Sequence, residues 1–160
     1  MFQVKICGIT TPEDARTVAD AGADAIGLNF FARSERFVRD DVASAIAQAV
    51  PSSVTKVGLF VNAPAARIRE LFDGLKLDLI QLHGDEPPEF LVELGGRPVM
   101  RAFRVGADLS PVRDYLTHCR ALHVTPRAVL VDAFQADRYG GTGRTADWAA
   151  LAKSRDVWGD

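Results

Sequence analysis

Apolar runs of strand length return along this chain at a nearly constant interval, and each is followed by a segment carrying helix signals. The runs are Gln3–Cys7, Asp24–Phe30, Val54–Val61, Asp78–Leu82, Val99–Val105 and Ala128–Ala133. Their starts lie about 25 residues apart on average, the length of one strand plus one helix. Such alternation with short connections predicts a parallel sheet, because parallel neighbours need a crossover and a helix is the usual one. An open, doubly wound sheet and a closed (β/α)8 barrel satisfy the pattern equally. No G-x-G-x-x-G follows the first run, where Cys7-Gly8-Ile9-Thr10 stands, and this weakens a dinucleotide-binding sheet.

The intervening segments carry start and stop signals. Thr11 is placed to cap a helix with Pro12 in its first turn and early acids at Glu13 and Asp14, and Gly22 closes it. Asp40 or Asp41 is expected to cap Val42–Val50, and Asn62 to open a helix through Phe72. Glu86-Pro87-Pro88 precedes Glu89–Leu94, which ends at Gly95-Gly96, and Asp108 or Ser110 begins the segment through Cys119. No linker, low-complexity tract or charge block interrupts the 160 residues, so residues 1–160 read as one domain.

Composition narrows the function classes. The formal net charge is −2, without the clustered basic excess that binding a nucleic-acid backbone requires. No apolar stretch approaches the ~18 residues of a membrane span. The first ten residues lack the basic flank and apolar run of a secretory signal. Cys7 and Cys119 are too few for a disulfide framework, so a reducing, cytoplasmic setting is expected. No His, Cys or acidic spacing of a metal site is present, and none is expected.

In parallel α/β folds, function gathers beyond the carboxyl ends of the strands. The residues there are Cys7, Arg33 and Arg36, Asn62, His83-Gly84-Asp85-Glu86, Arg104, and Asp132 followed by Gly140-Gly141-Thr142-Gly143. A thiol, cations, a histidine, a carboxylate and a glycine-rich loop on one rim suit proton transfer on an anionic, phosphorylated small molecule. Each also has a plainer use. Cys7 can be a packed thiol, Asp132 a turn cap, His83 a loop-orienting group, Arg36 a solvated charge and the glycines a flexible turn. As chemistry, a Cys7 thiolate would need positive potential nearby, for which Lys5 shares its strand parity. The Arg36 fork would suit a carboxylate, and the glycines would let backbone N–H groups approach a phosphate.

Five blocks carry the reading further. They are Lys5-Ile6-Cys7-Gly8-Ile9-Thr10, Ser34-Glu35-Arg36-Phe37-Val38, Val57-Gly58-Leu59-Phe60-Val61-Asn62, Gln81-Leu82-His83-Gly84-Asp85-Glu86, and Val131-Asp132-Ala133 with Gly140-Gly141-Thr142-Gly143 and Asp147-Trp148. In this order and at these intervals they resemble phosphoribosylanthranilate isomerase of tryptophan biosynthesis. The resemblance implies a (β/α)8 TIM barrel and an Amadori rearrangement of N-(5-phosphoribosyl)anthranilate, with no cofactor or metal. By the same resemblance Asp132 is the general acid and Cys7 the general base. Arg36 holds the anthranilate carboxylate, and Gly141, Thr142 and Gly143 form part of the phosphate cradle. His83, whose position suits touching substrate as well as orienting a loop, is counted with Arg36 among the expected substrate-binding residues.

The chain also departs from that family. Six units fit in 160 residues, whereas a TIM barrel takes ~200–250, and the family's last two strands find no match here. Ala32 stands where the family's second loop commonly has proline. The expectation is therefore an incomplete, C-terminally truncated barrel of about six units, a poor monomer with weak or no isomerase activity alone. Its open strand edges would invite self-association. Two other readings fit the same residues: a non-catalytic remnant serving as an interaction protein, and a related barrel isomerase acting on another phosphorylated aminosugar.

Overall fold

The computed structural model describes residues 2–105 and 108–133. Through them alternate β1 (Lys5–Cys7), α1 (Pro12–Asp20), β2 (Ala25–Asn29), α2 (Asp40–Ala49), β3 (Thr55–Phe60), α3 (Ala65–Gly74), β4 (Leu79–Leu82), α4 (Glu89–Glu93), β5 (Val99–Val105), α5 (Ser110–Ala121) and β6 (Ala128–Ala133). Among the described residues the strands form one parallel sheet in chain order, β1-β2-β3-β4-β5-β6. That order decides between the two architectures that periodicity left open. A doubly wound sheet reverses at a switch point and carries helices on both faces. An order without reversal keeps the helices on one side and curls as a barrel wall does.

The packing agrees with the order. Ile26, Leu28, Phe60, Ile80 and Leu82 of the strands share a buried core with Ala15, Ala43, Ile46, Ile68 and Leu71 of the helices. The other face has a core of its own, with Ala25, Val57, Leu79 and Met100 buried and Phe2, Ala128 and Leu130 packed against them. Among the described residues no helix residue belongs to that second cluster. The sheet thus has a helix-covered outer face and an inner face lined by strand side chains. Among the described residues no helix is long and apolar enough to cross a membrane.

Side chains trim the strands below their expected lengths. The Asp24 carboxylate accepts the N–H groups of Gln3 and Val4, both at 2.8 Å, so these leave the ladder and β1 begins at Lys5. The same bonds hold the Asp24 carboxyl below its usual range. Two strands on, the Asp78 carboxylate accepts from the N–H of Lys56, inside β3, at 2.8 Å, with the Lys56 ammonium 3.4 Å away. Both carboxylates stand at the amino ends of strands, opposite the rim where function gathers.

Helix starts follow the expected logic in part. Thr11 caps α1, its Oγ1 accepting from the Asp14 N–H at 3.0 Å. The Asp108 carboxylate accepts from the Ser110 N–H at the start of α5. Asp40 and Asp41 do not cap α2. Arg39 is the cap residue, and the two acids lie in the first turn, where negative charge suits the helix dipole. Nor does Asn62 open α3, which starts after Pro64. Asn62 has φ 51°, and its side-chain oxygen is taken by the Asp85 N–H at 2.7 Å.

Three helices end alike. After α1, Gly22 (φ 89°) and Ala23 donate to the carbonyls of Ala19 and Val18; Lys76 (φ 51°) and Leu77 do so after α3, and His123 (φ 56°) and Val124 after α5. Glycine takes this left-handed position without the cost a Cβ incurs, ~1–2 kcal/mol. Lys76→Gly should therefore raise the unfolding free energy by about 0.5–1 kcal/mol in urea titration, once the greater freedom of the unfolded chain is deducted. An unchanged or lower midpoint would show that the lysine is held there by something besides the turn.

Candidate active site

The parallel register sorts the strand-end residues by face. Cα partners share a face, and the ladder links Cys7 to Gly27, Val57 and Leu79 in turn. It also links Gln81 to Met100 and Ala128, and Arg104 to Asp132. Val57, Leu79 and Met100 belong to the inner core, so Lys5, Cys7, Gln81, Arg104 and Asp132 project from the inner face as well. In a barrel wall, equal height along the axis shifts by about one residue per strand. The ladder offset between the β1 and β6 ends has that sense.

At the end of β6, Asp132 Oδ2 stands 3.4 Å from His83 Nε2. The Asp132 side chain is 24% exposed, whereas His83 is only 6% exposed as a residue. Burial lowers the histidine below its ordinary 6.5; the Asp132 charge opposes this, and Arg104 and Arg101 reinforce it. The imidazole is therefore neutral at pH 7. Its Nδ1 lies 3.4 Å from the amide nitrogen of Gln81, itself 2% exposed. Arg104, the ladder partner of Asp132, donates to Asp85 Oδ1 at 3.0 Å.

Cys7 ends β1 and is half-buried. A Cβ on Gly27 would lie 2.8 Å from its Sγ and 3.0 Å from Lys5 Nζ, so glycine is what lets the thiol and the ammonium converge over β2. The next residue, Gly8, has φ 82°, and a Cβ there would run into Arg36 Cδ and stand 3.0 Å from Arg36 Nε. The Arg36 side chain thus lies across the backbone beside Cys7.

The loop presenting Arg36 is internally tied. Asn29 Oδ1 accepts from the Phe31 N–H at 2.9 Å, and Asn29 Nδ2 donates to Ser34 Oγ at 3.0 Å. Ser34 Oγ in turn accepts from the Arg36 N–H at 3.1 Å.

A buried ion pair supports the loop after β4. Glu86, 4% exposed, accepts from the Asn62 N–H at 2.7 Å and the Gly84 N–H at 3.0 Å. Arg101 NH1 lies 3.4 Å from Glu86 Oε2, the oxygen that accepts from Gly84, and donates to the Leu82 and Ala102 carbonyls, while NH2 donates to the Gly84 carbonyl. The guanidinium lies 5.1 Å from the Phe103 ring centroid and 5.3 Å from that of Tyr115. Sequence reasoning placed Glu86 and Asn62 on the rim, named Gln81 and Ser34 only within motif blocks with no role of their own, and passed over Arg101 and Asn29. The available signal for Arg101 was a charge in the middle of the apolar run Val99–Val105.

The expected site residues therefore fall into two groups on one face, Asp132 with His83 and Cys7 with Arg36. Gly141, Thr142 and Gly143 lie outside the described residues.

The model of the N-(5'-phosphoribosyl)anthranilate isomerase family matches residues 4–157 of this chain. The chain belongs to that family. The isomerase of Geobacter sulfurreducens is 45% identical over 158 residues, covering 96% of this chain and 73% of that protein. Among solved structures, the phosphoribosylanthranilate isomerase of Thermotoga maritima superposes with a TM-score of 0.83 at 33% identity, over 98% of this chain and 73% of that one. Another phosphoribosylanthranilate isomerase structure, in complex with reduced 1-(o-carboxyphenylamino)-1-deoxyribulose 5-phosphate, superposes at 0.79 with 32% identity, over 98% of this chain and 72% of that one.

Two measurements probe how this member of the isomerase family builds its rim. Glu86→Ala should lower stability by ~3–5 kcal/mol in urea unfolding, because it strands the Arg101 charge and two N–H groups. A loss below about 1 kcal/mol would mean the pair is not buried as described. His83, lowered in the folded chain, binds its proton first in the unfolded chain. Its contribution is therefore complete above pH 6.5 and declines as pH falls toward the lowered folded value. Below pH 6.5 the parent should lose stability more steeply than His83→Asn, by at most ~1.4 kcal/mol per pH unit; parallel slopes would contradict a buried neutral ring.

Proposed function

We propose that this chain isomerises N-(5'-phosphoribosyl)anthranilate to 1-(2-carboxyphenylamino)-1-deoxyribulose 5-phosphate, with Asp132 as general acid and Cys7 as general base. What carries the reading, within this family, is that Cys7, with Arg36 beside it, and Asp132 stand at the carboxyl ends of strands on one face. Protonated Asp132 gives its proton to the furanose ring oxygen. The C1–O bond breaks as the arylamine nitrogen donates its lone pair, and the ring opens to a protonated Schiff base. The Cys7 thiolate removes the C2 proton, and those electrons form the C1–C2 double bond and neutralise the nitrogen. Protonation at C1 and loss of the C2 hydroxyl proton then give the ketone. Hydrogen moves within one molecule and no net oxidation occurs, so the reading includes no cofactor.

Acid and base must hold opposite protonation states at one pH, which requires different surroundings. Here Asp132 sits against the neutral His83 ring, and Cys7 beside Lys5 and Arg36. Arg36 is assigned to the anthranilate carboxylate, which a guanidinium fork fits in bidentate fashion. His83 is assigned to the substrate side of Asp132, and Gly141, Thr142 and Gly143 to the phosphate. The ligand in the solved relative carries the carboxylate, arylamine and phosphate these assignments call for. The same reading places the chain in the cytoplasm, with both thiols free, and has it self-associate through its strand edges; among the described residues β1 and β6 stand at the edges of the sheet, and Val4 and Ile6 are exposed beside the first.

Cys7→Ala and Asp132→Asn should each lower kcat by ~10²–10⁴, the usual worth of a positioned acid or base, with little change in melting temperature. Turnover near the parent's in either variant would remove that residue from proton transfer. Arg36→Ala should mainly raise KM for the anthranilate substrate, and an unchanged KM would end its assignment to the carboxylate.

A further inference from the structure

On the inner rim, Gln81 Oε1 is buried with no hydrogen-bond partner among the described residues, and buried His83 Nε2 makes no well-directed hydrogen bond, the Asp132 carboxylate at 3.4 Å being its one polar neighbour named there. Burying an unpaired polar group is costly, so such atoms call for an explanation in function. They belong to neighbouring side chains, 2% and 6% exposed, joined through Gln81 Nε2 and His83 Nδ1 at 3.4 Å. The far nitrogen of the same ring is the one 3.4 Å from Asp132. From the interior outward the order is amide, imidazole, carboxylate.

We propose that Gln81 is a positioning residue that sets the tautomer of His83, so that an Nε2–H donor faces Asp132. This rests on Asp132 being the general acid, as argued above. An amide nitrogen can only donate, so its contact with Nδ1 makes that ring nitrogen the acceptor. A neutral imidazole carries one proton, which is then on Nε2. When Asp132 gives its proton to the ring oxygen, the new carboxylate finds this N–H waiting. The opposite tautomer would turn a nitrogen lone pair toward that charge and oppose proton donation. The logic is that of a second group fixing which nitrogen of a working histidine holds the proton. Gln81 never touches the substrate; it acts through the ring, and neither atom of the pair needs to titrate.

The full chain, labelled with 15N-histidine, tests this by NMR at neutral pH. The ring signals of His83, assigned by their loss in His83→Asn, should show a bare Nδ1 and a protonated Nε2. Gln81→Glu should shift the proton to Nδ1, which a carboxylate demands, and Gln81→Met should give a mixture. Both variants should lower kcat about tenfold, the worth of one such hydrogen bond, with KM for the anthranilate substrate unchanged. An Nδ1–H ring in the parent would overturn the proposal even if neither variant folds. So would Gln81→Met keeping both the parent's ring signals and its kcat. If Asp132→Asn turns over like the parent, it is the catalytic assignment that fails. If Asp132→Asn is impaired but the parent ring is protonated on Nδ1, only the role of Gln81 falls.

Discussion

A parallel sheet has a direction, and everything functional in this chain depends on it. Because the six strands among the described residues all run the same way, their carboxyl ends meet at one rim. Because ladder partners share a face, one parity carries Cys7, Gln81 and Asp132 inward, while the other packs Ile26, Leu28, Phe60 and Ile80 under the helices. The two ends are used differently. At the amino ends, Asp24 and Asp78 spend their carboxylates on backbone N–H groups and register. At the carboxyl ends, side chains converge across strands and leave polar atoms facing the interior.

The rim is rigid where a chemical site needs it to be. Glu86 and Arg101 tie together the ends of β3, β4 and β5, since Asn62, Gly84 and the Leu82 carbonyl all bond to the pair. Ionised groups this deeply buried seldom add net stability over a well-packed apolar substitute, but their geometry is demanding and admits few alternatives. Here that geometry sets the path of the loop that carries His83 to Asp132. On the other side, Asn29 and Ser34 perform the same service for Arg36 with neutral hydrogen bonds.

Much of this was legible in the chain. The six apolar runs marked the six strands of the described residues, because each combines β-branched residues with turn signals at its ends. Cys7, His83 and Asp132 could be picked out because a strand end in a parallel fold is a functional address whatever the family. Errors gathered at local choices that distant residues overrule. Asn62 looks like a helix start, yet the Asp85 N–H claims its side chain from across the sheet. Asp40 and Asp41 look like caps, and the turn begins one residue earlier. Arg101 was passed over because its partners are carbonyls and a carboxylate at least 15 residues upstream for all but Ala102, near only once β4 and β5 pair.

By itself, then, the sequence determined the alternation of strands and helices, the direction of the sheet and the residues at its rim. Periodicity, capping and crossover geometry are local or follow from local structure. Only the tertiary structure decided that the sheet runs in unbroken chain order with its helices on one side, and that Gln81, His83 and Asp132 stand in line. Those facts depend on the register between strands, and register is set by packing and hydrogen bonds among residues far apart in the chain.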